Sequence, residues 1–319
     1  MKTFNIHFFE NRKIYFGISI TVMLIGLLFN ILFGTQLDIQ FKGGAEIKYS
    51  FDGKVVQEEV EKIVQDTTKK DVSVRILEDV KSADGKKVKN NVSISFAGSE
   101  SISVDTQQAI EKALSAKYPN AHFEVVSSSS VNPTMGRNFF IKCLTAVFIT
   151  CVLLVLYIAF RFRKIGGMSA GVMAVLALLH DVIMVYFTFI IFRIPLNDNF
   201  IAVVLTILGY SLNDTIIIYD RIRENRRLMG PKTPYSSLVN TSINQTFTRS
   251  LFTAGCTFSS IATVFVVGQL YGITSVTTFA LPMMVGVVTG CYSSVCIAGP
   301  LYVMWQNHKA KQRETEAKA

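Results

Sequence analysis

Charged residues are scarce: they make up 17% of the 319 residues, where soluble domains carry about a quarter. Half of the chain is apolar and its mean hydropathy is +0.38, which excludes an ordinary water-soluble globule and points to a membrane as solvent. Cysteine is missing where a disulfide framework would need it. All five, Cys143, Cys151, Cys256, Cys291 and Cys296, fall in apolar runs, and none lies between Gly34 and Arg137. Cys291 and Cys296 are five apart with no histidine near them, so a metal site is not expected; the cysteines read as small packing residues. The P-loop glycine pattern, His-Glu-x-x-His and the nucleophile elbow are all missing, which speaks against an ATPase or another membrane enzyme. No cofactor is implied. Nor is nucleic acid a partner: the net charge of +9 comes from short basic clusters beside apolar spans, not from one soluble face.

What is present in quantity is long apolar sequence. A bilayer core takes about 20 apolar residues per helix, and six runs qualify: Ile14 to Phe33, Phe139 to Phe160, Gly167 to Phe192, Phe200 to Tyr219, Leu251 to Val267 and Val276 to Met304. The last is long enough to tilt or kink. Lys and Arg mark the inner flanks. They cluster at Lys2, Arg12 and Lys13, at Arg161, Arg163 and Lys164, from Arg221 to Lys232, and at Lys309, Lys311, Arg313 and Lys318, whereas the alternate connections are poor in them. The expected organisation is a cytoplasmic N-terminus at 1–13, a first span at 14–33 and an extracytoplasmic domain at 34–138. Five more spans follow within 139–304, with a cytoplasmic loop at 220–248, and the tail 305–319 is cytoplasmic. The first span lacks a small-residue cleavage site and exceeds a signal-peptide core, so it reads as an uncleaved helix. A short helix from Pro234 to Gln245 is expected along the inner surface.

The segment from Gly34 to Arg137 balances 14 basic against 15 acidic residues, and long domains cross largely regardless of charge. Glu46 to Phe51 alternates like a strand, and Val56, Val60, Ile63 and Val64 fall at helical spacing. Asp71 to Val80 and Val88 to Ala97 read as strands around the turn Ser82 to Gly85. Val104 to Tyr118 reads as a second helix stopped by Pro119, and His122 to Ser127 as a last strand. The order βαββαβ predicts an α+β ferredoxin-like domain. Ser127 to Ser130 and Asn132-Pro133 read as a linker back to the membrane.

Polar groups at membrane depth are costly and by default functional candidates. His180 and Asp181 lie in the third span, Asn213 and Asp214 in the fourth, and Arg249 begins the fifth, whereas His7 and His308 lie at the ends and read as solvated. Asp214 is seven residues before Arg221, about 10 Å inward from the basic border. Arg249 lies just inside the same border, and an Asp214–Arg249 ion pair is the expected way to keep both charged. Such a pair either fixes helix packing or binds and releases a proton or cation as its spacing changes. For Asp181, which pairs with His180 or faces an aqueous cavity, ion-path and structural roles are equally open.

The run Gly209-Tyr210-Ser211-Leu212-Asn213-Asp214-Thr215, continuing to Asp220-Arg221-Ile222-Arg223-Glu224-Asn225, resembles the signature of the SecF branch of the SecD/SecF family, within the RND superfamily. Leu179-His180-Asp181-Val182 and Asn244-Gln245-Thr246 to Arg249 resemble it too, in the same order. The resemblance implies an RND-type half-unit pairing with SecD into a twelve-helix complex beside the SecYEG channel, with YajC as a further partner. It also implies an unfolded secretory polypeptide as substrate, and a proton or sodium gradient across the inner membrane as driving force. Asp214 and Arg249 match the family positions linked to ion coupling. After the first span the family usually shows Asp-Phe-Thr-Gly-Gly; this chain reads Gln40-Phe41-Lys42-Gly43-Gly44, with Asp38 two residues earlier. The glycine pair suits a tight backbone path. An RND-type exporter of small molecules or lipids would share the bundle and the charged pair, but such chains usually carry both halves.

Overall fold

The computed structural model describes residues 6–70, 72–77, 90–96, 102–230, 232–271 and 273–318. Helix α1 (Arg12–Phe33) leads through a single turn, α2 (Ile39–Lys42), into a small domain: β1 (Gly44–Phe51), α3 (Gln57–Thr68), β2 (Val72–Leu77), β3 (Asn90–Phe96), α4 (Val104–Lys117) and β4 (Glu124–Val131). Then follow α5 (Pro133–Arg161), α6 (Gly167–Ile191), α7 (Asp198–Leu228), α8 (Tyr235–Leu270), α9 (Thr274–Ser293), a π-helical turn at Ser294–Ala298 and α10 (Gly299–Lys318). Among the described residues six helical stretches are long and apolar enough to cross a membrane, with α9 and α10 sharing the sixth, so the chain is a multi-pass helical membrane protein.

The domain takes the anticipated order βαββαβ, and its sheet runs β2-β3-β1-β4 with every neighbouring pair antiparallel. Period-2 alternation puts Ile47, Tyr49 and Phe51 of β1 and Val92 and Ile94 of β3 on the inner face. Val60 and Val64 of α3 and Ile110 and Leu114 of α4, each pair one turn apart, meet them there, all fully buried. Each such side chain contributes about 1.5–3 kcal/mol by leaving water. The expected turn Ser82 to Gly85 lies outside the described residues. The serines expected to form a linker instead belong to β4: Ser127 to Ser130 pair along β1, because an edge strand can leave polar side chains in solvent while its backbone bonds are filled. The strand runs directly into α5, whose first turn is set by Pro133 and by the Asn132 side chain accepting the Thr134 N–H.

Two more segments differ from expectation. Much of the expected loop at 220–248 is helix: α7 continues to Leu228, supported by the pairs Asp220–Arg223 and Arg221–Glu224 at i,i+3, and stops before Gly230, whose φ is +87°. The stretch expected as a surface helix is the first three turns of the 36-residue α8, because Leu238, Val239, Ser242 and Ile243 bury one face against the bundle. The sixth crossing is interrupted by its π turn and runs on past Met304 as α10.

Within the bundle, small residues let helices approach closely, as membrane packing requires. A methyl group on Gly286 of α9 would meet Ile207 of α7 at 2.6 Å, and one on Gly26 of α1 would collide with the Phe187 ring of α6. Helices α6, α7 and α9 are mostly buried within the chain, whereas α1, α5 and α8 leave most of their apolar surface uncovered.

The domain is fastened to the turn between α6 and α7. The Leu196 N–H donates to Gln36 O at 2.8 Å, and the Asp38 N–H donates to Leu196 O at 3.0 Å. Gln40 Oε1 accepts the N–H of Asp198, the first residue of α7, at 3.1 Å. Gln40, at the position that is acidic in the family motif, thus serves a helix start. Asp38 has a different task, capping α2 by accepting the Gln40 N–H. Gly43 and Gly44 hold φ of +76° and +127°, and a side chain on Gly44 would collide with Phe96 O at 2.5 Å. From β2, Arg75 donates to Gln36 Oε1 at 2.6 Å. Burial pushes the Asp38 carboxyl above its ordinary range and pulls the Arg75 guanidinium below its own.

Candidate functional site

Two carboxylates stand in the middle of the bundle. Asp181 of α6 is fully buried and well supplied with donors. Ser211 Oγ of α7 and Ser293 Oγ of α9 each donate to its Oδ2 at 2.7 Å, and His180 Nδ1 lies 3.1 Å from its Oδ1. The hydroxyl network continues from Thr215 Oγ1 to Ser294 Oγ at 2.9 Å, and Ser294 donates to Ser211 O at 3.1 Å. Ser294 opens the π turn, a feature frequent at functional sites. His180 is buried as well; its Nε2 has no hydrogen-bond partner and its ring lies 6.2 Å from that of Tyr292, whose hydroxyl donates to Tyr15 O of α1.

Asp214 sits on an adjacent face of α7, three residues beyond Ser211 and so about 4.5 Å farther along the axis toward the basic end. It is 1% exposed, and its Oδ2 has no hydrogen-bond partner. Ser250 of α8 is also fully buried, and its Oγ has no hydrogen-bond partner either. The two buried aspartates therefore differ: one accepts from two hydroxyls and lies against an imidazole, the other has an unfilled oxygen.

The expected Asp214–Arg249 ion pair is not formed. No contact within salt-bridge distance joins them, and Arg249 is exposed in a cleft of about 400 Å³ lined also by Ile217, Asp220, Arg221, Glu224 and Thr246. Helical geometry gives the reason: Ser250 is the residue of α8 turned into the bundle, and its exposed predecessor is rotated from it by about 100°. Arg249 thus lines the cleft and does not reach the Asp214 carboxyl.

The remaining motif residues divide by task. Asp220 is held by Arg223 at 2.8 Å and by Arg161 of α5 at 3.3 Å. Arg221 donates to Gln245 Oε1 at 2.6 Å, and buried Asn225 donates to Ser242 Oγ at 2.9 Å and to Gln245 Oε1 at 2.8 Å, so the Asp-Arg-Ile-Arg-Glu-Asn run clamps α7 to the first turns of α8. Asn213 and Gly209 are exposed on α7, and a side chain on Gly209 would meet nothing within 4 Å. Asn213 is therefore not brought to Asp181.

Residue-by-residue reading missed Ser293 and Ser294, and gave no role to Ser211 and Thr215. The usable signal was hydroxyls inside otherwise apolar spans, with Ser211 and Thr215 one turn apart on the helix that bears Asp214.

Comparison with known proteins fits this architecture. Residues 109–308 match the family described as "Protein export membrane protein SecD/SecF, C-terminal". The chain is 32% identical over 316 residues to protein translocase subunit SecF of Sebaldella termitidis, covering 97% of this chain and 95% of that protein. It is 31% identical to protein translocase subunit SecDF of Bacillus subtilis, covering 96% of this chain and 39% of that one. A crystal structure of SecDF from Thermus thermophilus, a translocon-associated membrane protein, superposes with a TM-score of 0.79 at 26% identity over 95% of this chain. A second SecDF structure, in a super-membrane-facing form, gives 0.66 at 27% over 99%. The chain spans 39% and 40% of the length of these two SecDF chains. With the motif on α7, six crossings and a family match over most of its length, the chain belongs to the SecD/SecF family of protein-export membrane proteins.

Proposed function

We propose that this chain is the SecF-type half of a Sec export accessory complex: it pairs with SecD beside SecYEG, with YajC as a further partner, and uses a proton or sodium gradient to promote passage of unfolded secretory polypeptides. It works as a transport component and not as an enzyme. The domain at 34–138 lies outside the inner membrane and both termini lie in the cytoplasm, which the clustering of Lys and Arg supports.

One observation carries the coupling role: the buried Asp214 carboxyl with an unsatisfied oxygen, in a bundle where a charge without partners is expensive. Such a group binds a cation well in one helix arrangement and poorly in another. Arg249, one residue from Ser250 and facing the cleft, becomes the competing cation when α8 shifts toward α7. Movement of α7 reaches the domain through the bonds of Gln36, Asp38 and Gln40 to residues 196–198. Asp181, already satisfied by α7 and α9, serves as the fixed post against which α7 moves.

The test uses inverted membrane vesicles carrying Asp214→Asn with SecD and SecYEG. Assembly should persist while gradient-dependent stimulation of precursor export is lost; a full response to the gradient would make Asp214 structural. Orientation is checked by labelling with a membrane-impermeant thiol reagent in a cysteine-free background. A cysteine introduced in α3 should react from outside and one in α10 from inside.

A further inference from the structure

Basic side chains at one end of the bundle fall into two groups. In the cleft that Arg249 lines, Asp220 pairs with Arg223 and Glu224 with Arg221, so part of the positive charge is answered within the chain. A second pocket, of about 250 Å³, has no such answer. It opens where the start of α6, the end of α7, the first turn of α8 and α10 meet, and Arg226 and Lys309 line it with Gly166, Ser169, Tyr235 and Gln306. Among the described residues no carboxylate lines it. Two cations brought together from α7 and α10 without a counter-charge leave a positive field that a bound anion relieves.

The pocket is organised before any anion arrives. Arg226 donates through Nη1 to Thr233 O at 2.8 Å and lies over the Tyr235 ring, 4.3 Å from its centroid, so its planar fork is held in place with donors to spare. Buried Tyr302 and Gln306 of α10 both donate to Ile165 O, at 2.6 and 3.4 Å, and fix the turn that leads into α6. Gly166, with φ of +81°, is the N-cap residue of the 25-residue α6 and supplies no side-chain cap, so the first N–H groups of that helix lack a side-chain acceptor. The helix start adds its own positive end to the two cations.

Depth points to the source of the anion. Trp305 stands beside Gln306 and one turn before Lys309 on α10, and its exposed ring sets the pocket at the level of the lipid headgroups, where tryptophan settles. We propose that this pocket is a phosphate site: Arg226, Lys309 and the uncapped start of α6 hold one phosphate group, brought by an anionic lipid such as phosphatidylglycerol. At about 250 Å³ it takes a phosphate with its nearest substituents, and it falls below the roughly 300–1,000 Å³ of pockets that enclose a whole ligand. Arg226 supplies the directional donors and Lys309 a mobile point charge. A lipid held there fastens α10 to the start of α6 and the end of α7. Free phosphate shares this chemistry, and the experiment separates the two sources.

Trp305, the sole tryptophan of the chain, is the reporter. The full chain is reconstituted in phosphatidylcholine vesicles, and quenching of its emission by bromine-labelled phosphatidylglycerol is compared with quenching by bromine-labelled phosphatidylcholine. The parent should prefer phosphatidylglycerol by about tenfold. Lys309→Gln, at an exposed position, should lose about threefold of that preference and Arg226→Gln most of it, while Lys309→Arg stays within about twofold of the parent. Lys311→Gln removes an equal charge outside the pocket and should keep the parental preference. In unlabelled phosphatidylcholine vesicles, inorganic phosphate replacing chloride at constant ionic strength should leave the emission unmoved. A response to it that Lys309→Gln removes, with no preference for phosphatidylglycerol, assigns the pocket to soluble phosphate and overturns the lipid source. Absence of both responses overturns the phosphate site, as does a preference that survives both glutamine variants in the pocket. An equal loss in Lys311→Gln overturns it too, since the preference then belongs to the general surface charge.

Discussion

Asp181 and Asp214 lie about one turn apart in depth on two faces of the same helix neighbourhood, and both are buried. Asp181 receives two serine hydroxyls and an imidazole nitrogen from α6, α7 and α9; Asp214 shows an oxygen that no protein group fills. A satisfied carboxylate ties helices together and resists change, because moving any one of them strands several polar groups at once. An unsatisfied one is cheap to alter and is poised to take a partner from elsewhere. The difference teaches that burial alone does not mark a working group in a membrane bundle; the state of its hydrogen bonds does.

That contrast can be broken by experiment, and the largest expected effect comes first. Asp181→Ala should destabilise the folded bundle by about 3 kcal/mol or more, since two hydroxyls and His180 lose their acceptor. Asp214→Asn should stay within about 1 kcal/mol of the parent. Thermal unfolding in detergent micelles measures both, and equal losses would abolish the distinction. Next, Gly286→Val should cost about 1–3 kcal/mol by driving α9 off Ile207 and so parting Ser293 from Asp181. If it unfolds at the parental temperature, the tight α7–α9 approach is not what holds the network. Ser211→Ala should follow at about 1–2 kcal/mol, one donor to Asp181 being lost while Ser293 remains.

The smallest effect belongs to the domain junction. Because burial raises the Asp38 carboxyl in the fold, this group favours the folded junction below its ordinary titration range and loses that contribution as pH rises through its raised value. Asp38→Asn keeps a capping oxygen and carries no charge. It should therefore leave stability near the parental value in acid and raise it slightly at neutral pH, and a pH series of unfolding temperatures with the opposite slope would refute this.

Much of the architecture was legible from residues alone. Six apolar runs of sufficient length, the alternation at Glu46 to Phe51 and the i,i+4 pairs Val60/Val64 and Ile110/Leu114 are local patterns, and local patterns survive folding. The segments that misled were those in which partners from elsewhere decide. Ser127 to Ser130 look like a linker until β1 supplies hydrogen-bond partners, and Pro234 to Gln245 looks interfacial until α7 and α10 cover its buried face. In the site, Asp214 and Asp181 were found because a carboxylate in an apolar run is conspicuous, whereas a serine there is not.

By itself, then, the sequence determined the membrane class, the number of crossings, the presence of a small α+β domain and the two carboxylates, since each depends on residue type and short-range spacing. Tertiary structure decided that Asp181 is saturated and Asp214 is not, that Arg249 faces the cleft while Ser250 is buried, and that Gln40 receives the start of α7. Hydrogen-bond satisfaction depends on distances between atoms many residues apart, and a one-residue step around a helix turns a side chain by about 100°; only the packed bundle fixes either.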